Sequence, residues 1–253
     1  MIKQIRGEMF GEHPSSKLRT AYQGYQGCKP KDADVIILGK DPFYPLDIEQ
    51  SPIFDELIAY LETGVEFYLD KPGVTYFYHH PFLSKKYGRG TLWRYHSNFR
   101  RIFGKCHNGR FLSNRDSDDY RNWAKKTTMI ELIGTPTYGM SIVDSSYAKK
   151  QADSEYQVML NSAQNSEHLR LIRSLLFGSA NKTVFVTRET YSLLRGVFPI
   201  LKKAFPTDSY IIEDLYTNAS NTSLKALRHP SAALKAEYFD QLKIVMNKAY
   251  IKS

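Results

Sequence analysis

Apolar and polar positions along the chain follow two periods in turn. Val35, Ile36, Ile37 and Leu38 form an unbroken apolar run ended by Gly39, the pattern of a strand buried on both faces of a parallel sheet. Ser51-Pro52 then reads as an N-cap followed by proline at the first helical position. Ile53, Phe54, Leu57, Ile58 and Leu61 follow at helical spacing up to Gly64. After a turn at 70–73, Val74 to Tyr78 is read as a short strand or a loop. Leu92, Tyr95, Phe99, Ile102 and Phe103 share one face of an amphipathic helix. Residues 128–133 (TMIELI) predict the second main strand, and 183–187 (TVFVT) the third, β-branched and followed by a helix around 189–194. Between them, 144–165 is polar and reads as a loop, whereas 168–177 has helical periodicity ended by Gly178. Residues 210–213 offer a short extra strand. Residues 223–227 offer the fourth main one, before a helix carrying Tyr238, Phe239, Leu242, Val245 and Met246.

Strands alternating with helices in this way predict a parallel sheet joined by right-handed crossovers, with its site at the carboxyl ends of the strands. The expected architecture is α/β: a single domain over 1–253, built as a three-layer α/β/α sandwich around a central, mainly parallel four-stranded sheet. Residues 1–34, polar and rich in Gly and Tyr, are expected to form a mobile lead-in containing a short helix or irregular chain. Residues 64–127 are expected to be a basic, aromatic-rich insertion.

Composition narrows the class of protein. A hydrophobic content of 42% over 253 residues is enough for one sizeable core. No run approaches the roughly 20 apolar residues of a membrane span, and the first 16 residues lack the apolar core of a signal peptide. The expectation is a soluble intracellular, cytoplasmic protein with no membrane partner. Two cysteines, Cys28 and Cys106, argue against a disulfide framework and leave too few thiols for an iron-sulfur cluster. His79, His80 and His96 have no carboxylates or thiols at recognisable ligand spacing, so neither a metal nor another cofactor is expected.

The net charge of +9 favours a polyanionic partner. Its distribution is sharper: residues 85–110 hold eight basic residues (Lys85, Lys86, Arg89, Arg94, Arg100, Arg101, Lys105, Arg110) and no acidic one. Tyr87, Trp93, Tyr95, Phe99 and Phe103 are interleaved with them, which suits phosphate neutralisation beside base stacking. A solvated basic face over a buried aromatic one is the plainer reading of any single arginine here.

Two short segments carry the chemistry. Gly39-Lys40-Asp41-Pro42-Phe43-Tyr44 puts an Asp just beyond the first strand, and Arg228-His229-Pro230-Ser231 puts a His just beyond the last. Taken alone, Asp41 suits a turn in which it accepts amide hydrogen bonds, His229 suits an exposed position before a helix-starting proline, and Ser231 suits an N-cap. Taken together, in this order and setting, the segments resemble the two motifs of the uracil-DNA glycosylase superfamily, Gly-Gln-Asp-Pro-Tyr-His and His-Pro-Ser. Gly39, Asp41, Pro42, His229, Pro230 and Ser231 match directly.

The resemblance implies hydrolysis of the N-glycosidic bond of uracil or another damaged base flipped out of DNA, with no cofactor. Asp41 would position the water and offset charge on the sugar, and His229 would stabilise the departing base's oxygen. Gly39, Lys40, Pro42, Phe43, Tyr44, Phe54, Gly134 and Thr135 would form the base site. Pro230 and Ser231, with Lys85, Lys86, Arg89, Arg94, Arg100 and Arg101, would hold damaged or single-stranded DNA. Phe54, near the family's stacking aromatic, equally suits core packing beside Leu57, Ile58 and Leu61.

The chain departs from the best-known branch at three points. Phe43-Tyr44 replaces Tyr-His, Gly134-Thr135 stands where an Asn would hold the uracil edge, and Ala232-Ala233-Leu234 follows His-Pro-Ser, with Leu234 the candidate wedge. A non-catalytic nucleic-acid-binding protein on the same fold, and a hydrolase of free nucleosides or nucleotides, are the other readings.

Overall fold

The computed structural model describes residues 10–42, 44, 46–51, 54–63, 126–139, 154–179, 181–207, 212–228 and 235–251. The expected strand or loop at 74–78, the basic helix at 92–103 and the rest of the 64–125 insertion lie outside the described residues. So do Phe43 and residues 229–234.

In chain order the elements are β1 (Phe10–Glu12), α1 (Ser16–Ala21), β2 (Tyr25–Gly27), β3 (Val35–Gly39), a short 3-10 turn at Ile48–Gln50 and α2 (Phe54–Thr63). They continue with β4 (Thr127–Glu131), β5 (Thr137–Gly139), α3 (residues 154–160), α4 (Ala163–Phe177), β6 (Thr183–Val186) and α5 (Arg188–Val197). The described chain closes with β7 (Asp214–Thr217), β8 (Ser223–Ala226) and α6 (Ala236–Ile251).

The sheet is mainly parallel and has six strands rather than four, in the order β2-β4-β3-β6-β8-β7. β4, β3, β6 and β8 run parallel to their neighbours, while β2 and β7 add one antiparallel strand at each edge. Neither edge has the apolar run that marks a buried strand. β2 contains Gln26 and Gly27, and β7 starts on an exposed Asp214, beyond the 210–213 window that the sequence suggested. Every residue of β3 is buried, as its unbroken apolar run requires, and it pairs on both sides, Ile37 lying between Met129 and Phe185.

Residues 10–34 are built into the fold. β1 pairs antiparallel with β5, β2 extends the sheet, and Leu18 and Ala21 of α1 are buried. Ser15 caps α1 by accepting from the Leu18 amide at 3.2 Å. The segment 144–165, read as a loop, instead contains α3 and the start of α4. Ser162 caps α4 by accepting from the Asn165 amide at 3.2 Å, and the buried Tyr156 and Leu160 give α3 an apolar face. These polar helices were masked in the sequence because little of their surface is apolar. α2 and α6 match their expected positions, with Phe54, Leu57 and Leu61 of α2 and Tyr238 and Leu242 of α6 in the core. Among the described residues no helix is long and apolar enough to cross a membrane.

Candidate functional site

The order of the parallel strands decides where a site can form. The chain leaves β3 for β4 on one side, then returns past β3 to β6 on the other. Connections from β3 and β6 therefore diverge at their carboxyl ends, the place where open α/β sheets leave a crevice. Lys40 and Asp41 follow β3 there, and Arg188 and Glu189 follow β6. The Lys40 ammonium pairs with the Glu189 carboxylate at 2.8 Å, bridging the two strand ends, and lies 4.9 Å from the centre of the Tyr156 ring.

The turn after β3 is zipped to the segment after β4. Leu132 donates its amide to the Gly39 carbonyl at 3.0 Å, Thr137 to that of Pro42 at 2.9 Å, and Tyr44 to that of Thr137 at 2.9 Å. Within this frame the Thr137 hydroxyl donates to Oδ2 of Asp41 at 3.2 Å, and the Tyr156 hydroxyl to the Lys40 carbonyl at 2.9 Å. Asp41 keeps some accessible surface, but its carboxyl is largely stripped of water. Burial raises its pKa, the Lys40 charge and the Thr137 hydrogen bond pull it back, and the Glu189 charge adds to the rise.

A second carboxyl lies beside the first. Glu131 closes β4 opposite Gly39 and is 5% exposed. A Cβ placed on Gly39 would fall 1.6 Å from Glu131 Oε2, so the side chain occupies the space that the missing Cβ leaves. Burial, and then the charge of Asp41, push the Glu131 carboxyl up to about 8, so it holds its proton at neutral pH. Sequence reading passed over Glu131. The signal was there: a lone acid inside the apolar run TMIELI must either be paired or change its protonation.

Next to these groups, His168 of α4 is clasped between Gly24 and Gly134. A Cβ on Gly134 would meet its Cγ at 2.5 Å, and one on Gly24, which has φ +81°, its Nδ1 at 3.0 Å. His168 Nε2 lies 2.6 Å from the Glu131 carbonyl and must donate to it, which leaves Nδ1 as an acceptor. Burial lowers the imidazole's pKa, against the effect of that hydrogen bond, and keeps the ring neutral. Asn165 ties down the same loop. Its Oδ1 accepts from the Gly134 amide at 2.9 Å, and its Nδ2 donates to the carbonyls of Leu132 at 3.0 Å and Leu160 at 3.1 Å.

Gly134 and Thr135 line a cavity of about 810 Å³ together with Phe10, Val158, Met159 and His168. Among the described residues no Lys or Arg lines it. Among the described residues no cluster of three or more His, Cys, Asp and Glu is placed to hold a metal ion.

Of the residues expected to form the site, Gly39, Lys40, Asp41 and Pro42 stand together at the end of β3, stitched to Thr137. Gly134 and Thr135 stand at the end of the neighbouring β4. Tyr44 is 2% exposed and Phe54 5%, both within the core cluster, so each supports the loop from beneath. β8 ends at the same edge of the sheet, two strand spacings of roughly 4.8 Å from β3, with Leu227 donating to the Val186 carbonyl at 2.8 Å. His229, Pro230 and Ser231, which come next, lie outside the described residues. Phe43, Lys85, Lys86, Arg89, Arg94, Arg100 and Arg101 do as well. Tyr156, Asn165, His168 and Glu189 joined the site without being anticipated. Comparison of the chain with protein-family models, with curated proteins and with solved structures finds no match.

Proposed function

We propose that the chain is a DNA glycosylase that hydrolyses the N-glycosidic bond of uracil or another damaged base flipped out of DNA. The observation that carries this reading is the position of Asp41: it follows the central parallel strand into the crevice, on a Gly-Lys-Asp-Pro turn, with its carboxyl held by Thr137. We further infer that the parallel strands β4-β3-β6-β8 form the central layer of a three-layer α/β/α sandwich, and that the protein works in the cytoplasm with damaged or single-stranded DNA as its partner.

In this reading the bond to C1′ breaks with its electron pair leaving on the base. The sugar becomes cation-like, and the Asp41 carboxylate offsets that charge while accepting a proton from the attacking water. A neutral His229 donates a hydrogen bond to the base oxygen as it becomes anionic. Lys85, Lys86, Arg89, Arg94, Arg100 and Arg101 supply phosphate contacts, and Pro230 and Ser231 hold the strand near the flipped nucleotide. Asp41 must be ionised to act, and its pKa is raised, so the rate is expected to climb at a pH above the usual aspartate range.

One observation favours a second reading. Gly134-Thr135 offers no side-chain amide to the edge of a base, and the nearby Asn165 amide already serves the backbone. A relative that binds nucleic acid without cutting it would tolerate this. The test is formation of abasic sites in single- and double-stranded oligonucleotides bearing uracil, hypoxanthine, xanthine or alkylated bases. Abasic product from any of them supports the enzyme; tight, salt-sensitive binding with no product from the whole panel leaves the binding protein.

A further inference from the structure

We propose that Glu131 is a positioning residue for Asp41: laid across the bare backbone of Gly39, its carboxyl fixes the turn that presents Asp41, and the two carboxyl groups carry one negative charge between them, on Asp41. The inference rests on Asp41 being the reactive carboxylate, as proposed above.

Geometry is the first support. Gly39 and Glu131 are register partners on adjacent parallel strands, and Gly39 O accepts from Leu132 N, so the backbones at this point are locked. The φ of Gly39 is not positive, so its backbone conformation does not call for glycine. What calls for it is Glu131, whose Oε2, Cδ and Oε1 would lie 1.6, 2.5 and 2.8 Å from any Cβ at residue 39. The acid thus fills the floor of the turn two residues before Asp41.

The charges around the pair are the second support. Around it, among the described residues, stand Lys40 from the β3 turn, Tyr156 from α3 and Glu189 from the start of α5, while His168 of α4 meets the backbone carbonyl of Glu131. Lys40, the cation in this set among the described residues, is paired with Glu189 and acts on Asp41 as well. Tyr156 spends its proton on the Lys40 carbonyl and His168 spends its Nε2 proton on the Glu131 carbonyl. Two adjacent carboxylates in a site stripped of water cannot both ionise cheaply. Asp41, with a hydrogen bond from Thr137 and Lys40 close by, takes the charge, and Glu131 keeps the proton until about pH 8. Above that pH a second charge enters the floor of the turn and Asp41 is displaced.

Titration of the side-chain carboxyl carbons by 13C NMR tests the pairing in the wild-type protein and needs no substrate. The expected result is one buried Glu carboxyl that stays protonated through pH 7 and is missing in Glu131→Gln, with Asp41 ionising first. A Glu131 carboxyl already ionised at pH 6 overturns the proposal whatever the protein's activity. With a substrate in hand, the pH–rate profile should fall on the alkaline side near pH 8. That fall should vanish in Glu131→Gln, and the rate lost in Glu131→Ala, about 10- to 100-fold, should be largely restored in Glu131→Gln. An alkaline fall that persists in Glu131→Gln overturns the positioning role. Absence of base release in the wild type defeats the glycosylase reading alone and leaves the NMR result to decide the pairing.

Discussion

Replacing Glu131 by Gln should change how the protein's stability depends on pH. In the folded protein the Glu131 carboxyl is raised from 4.5 to about 8, so between these values the folded state holds a proton that the unfolded chain has released. Stability must then fall as pH rises through this window, by about 1.4 kcal/mol per pH unit for one proton. Across the window this accumulates to about 5 kcal/mol. The favourable state is fully present below about pH 4.5 and has been lost above about pH 8. For a domain whose net stability is of the order of 5–15 kcal/mol, that is a large fraction. The assay is urea denaturation of wild type and Glu131→Gln at intervals from pH 5 to 9. The difference between the two curves cancels titrations common to both proteins. Glu131→Gln should gain on the wild type steadily from pH 5 to 8 and hold its gain above that. Parallel curves, or a wild type that gains stability over this range, would refute the argument that Glu131 is buried as the acid.

Gly39→Ala places a methyl group inside the Glu131 carboxyl and should cost about 1–3 kcal/mol; the Gly39→Ala, Glu131→Ala double variant should lose less than the sum of the two single losses, and strict additivity would disprove the contact. Asn165→Ala removes the side chain that joins the Gly134 amide to the Leu132 and Leu160 carbonyls, for a loss of about 2–4 kcal/mol in denaturant titration. Hydrogen exchange at Gly134 should accelerate in the same variant, and unchanged protection there would contradict the assignment. Cys28 is buried and its thiol is pushed up to about 12 by burial and by the Asp32 charge. In a Cys106→Ser background it should resist a thiol reagent until the protein is unfolded, and prompt labelling of the native state would show that the site is open.

The central strands and the helices α2, α5 and α6 were legible because burial writes a strong pattern. Val35 to Leu38 admit no exposed face, and Phe54, Leu57 and Leu61 fall on one side of a helix. Of the two edge strands β2 was missed and β7 was expected at 210–213, just before its place at Asp214–Thr217, because a three- or four-residue strand with one exposed side carries no run to fix it. The helices within 144–165 were obscured by polar exposed faces, although Ser162 caps α4 by accepting from the Asn165 amide. For the site, position after a strand was enough to select Gly39, Lys40, Asp41 and Pro42, since the chemistry of an α/β sheet gathers at the carboxyl ends of its strands. Their partners were out of reach: Tyr156, more than 100 residues away in sequence, is brought to the Lys40 carbonyl only by the fold, as Asn165 and His168 of α4 are brought to Gly134 and Glu131 at the end of β4. Phe54 shows the converse, since its helical spacing allowed both a stacking and a packing role and the side chain lies in the core.

In the proposed function Asp41 does chemistry on DNA. Its most direct test is the single-turnover rate of base release for wild type and Asp41→Asn on the oligonucleotide that gives the most abasic product, with DNA affinity measured on the same samples. The account predicts that Asp41→Asn slows release by about 100-fold or more while affinity changes little. Release that is indifferent to Asp41→Asn would contradict it.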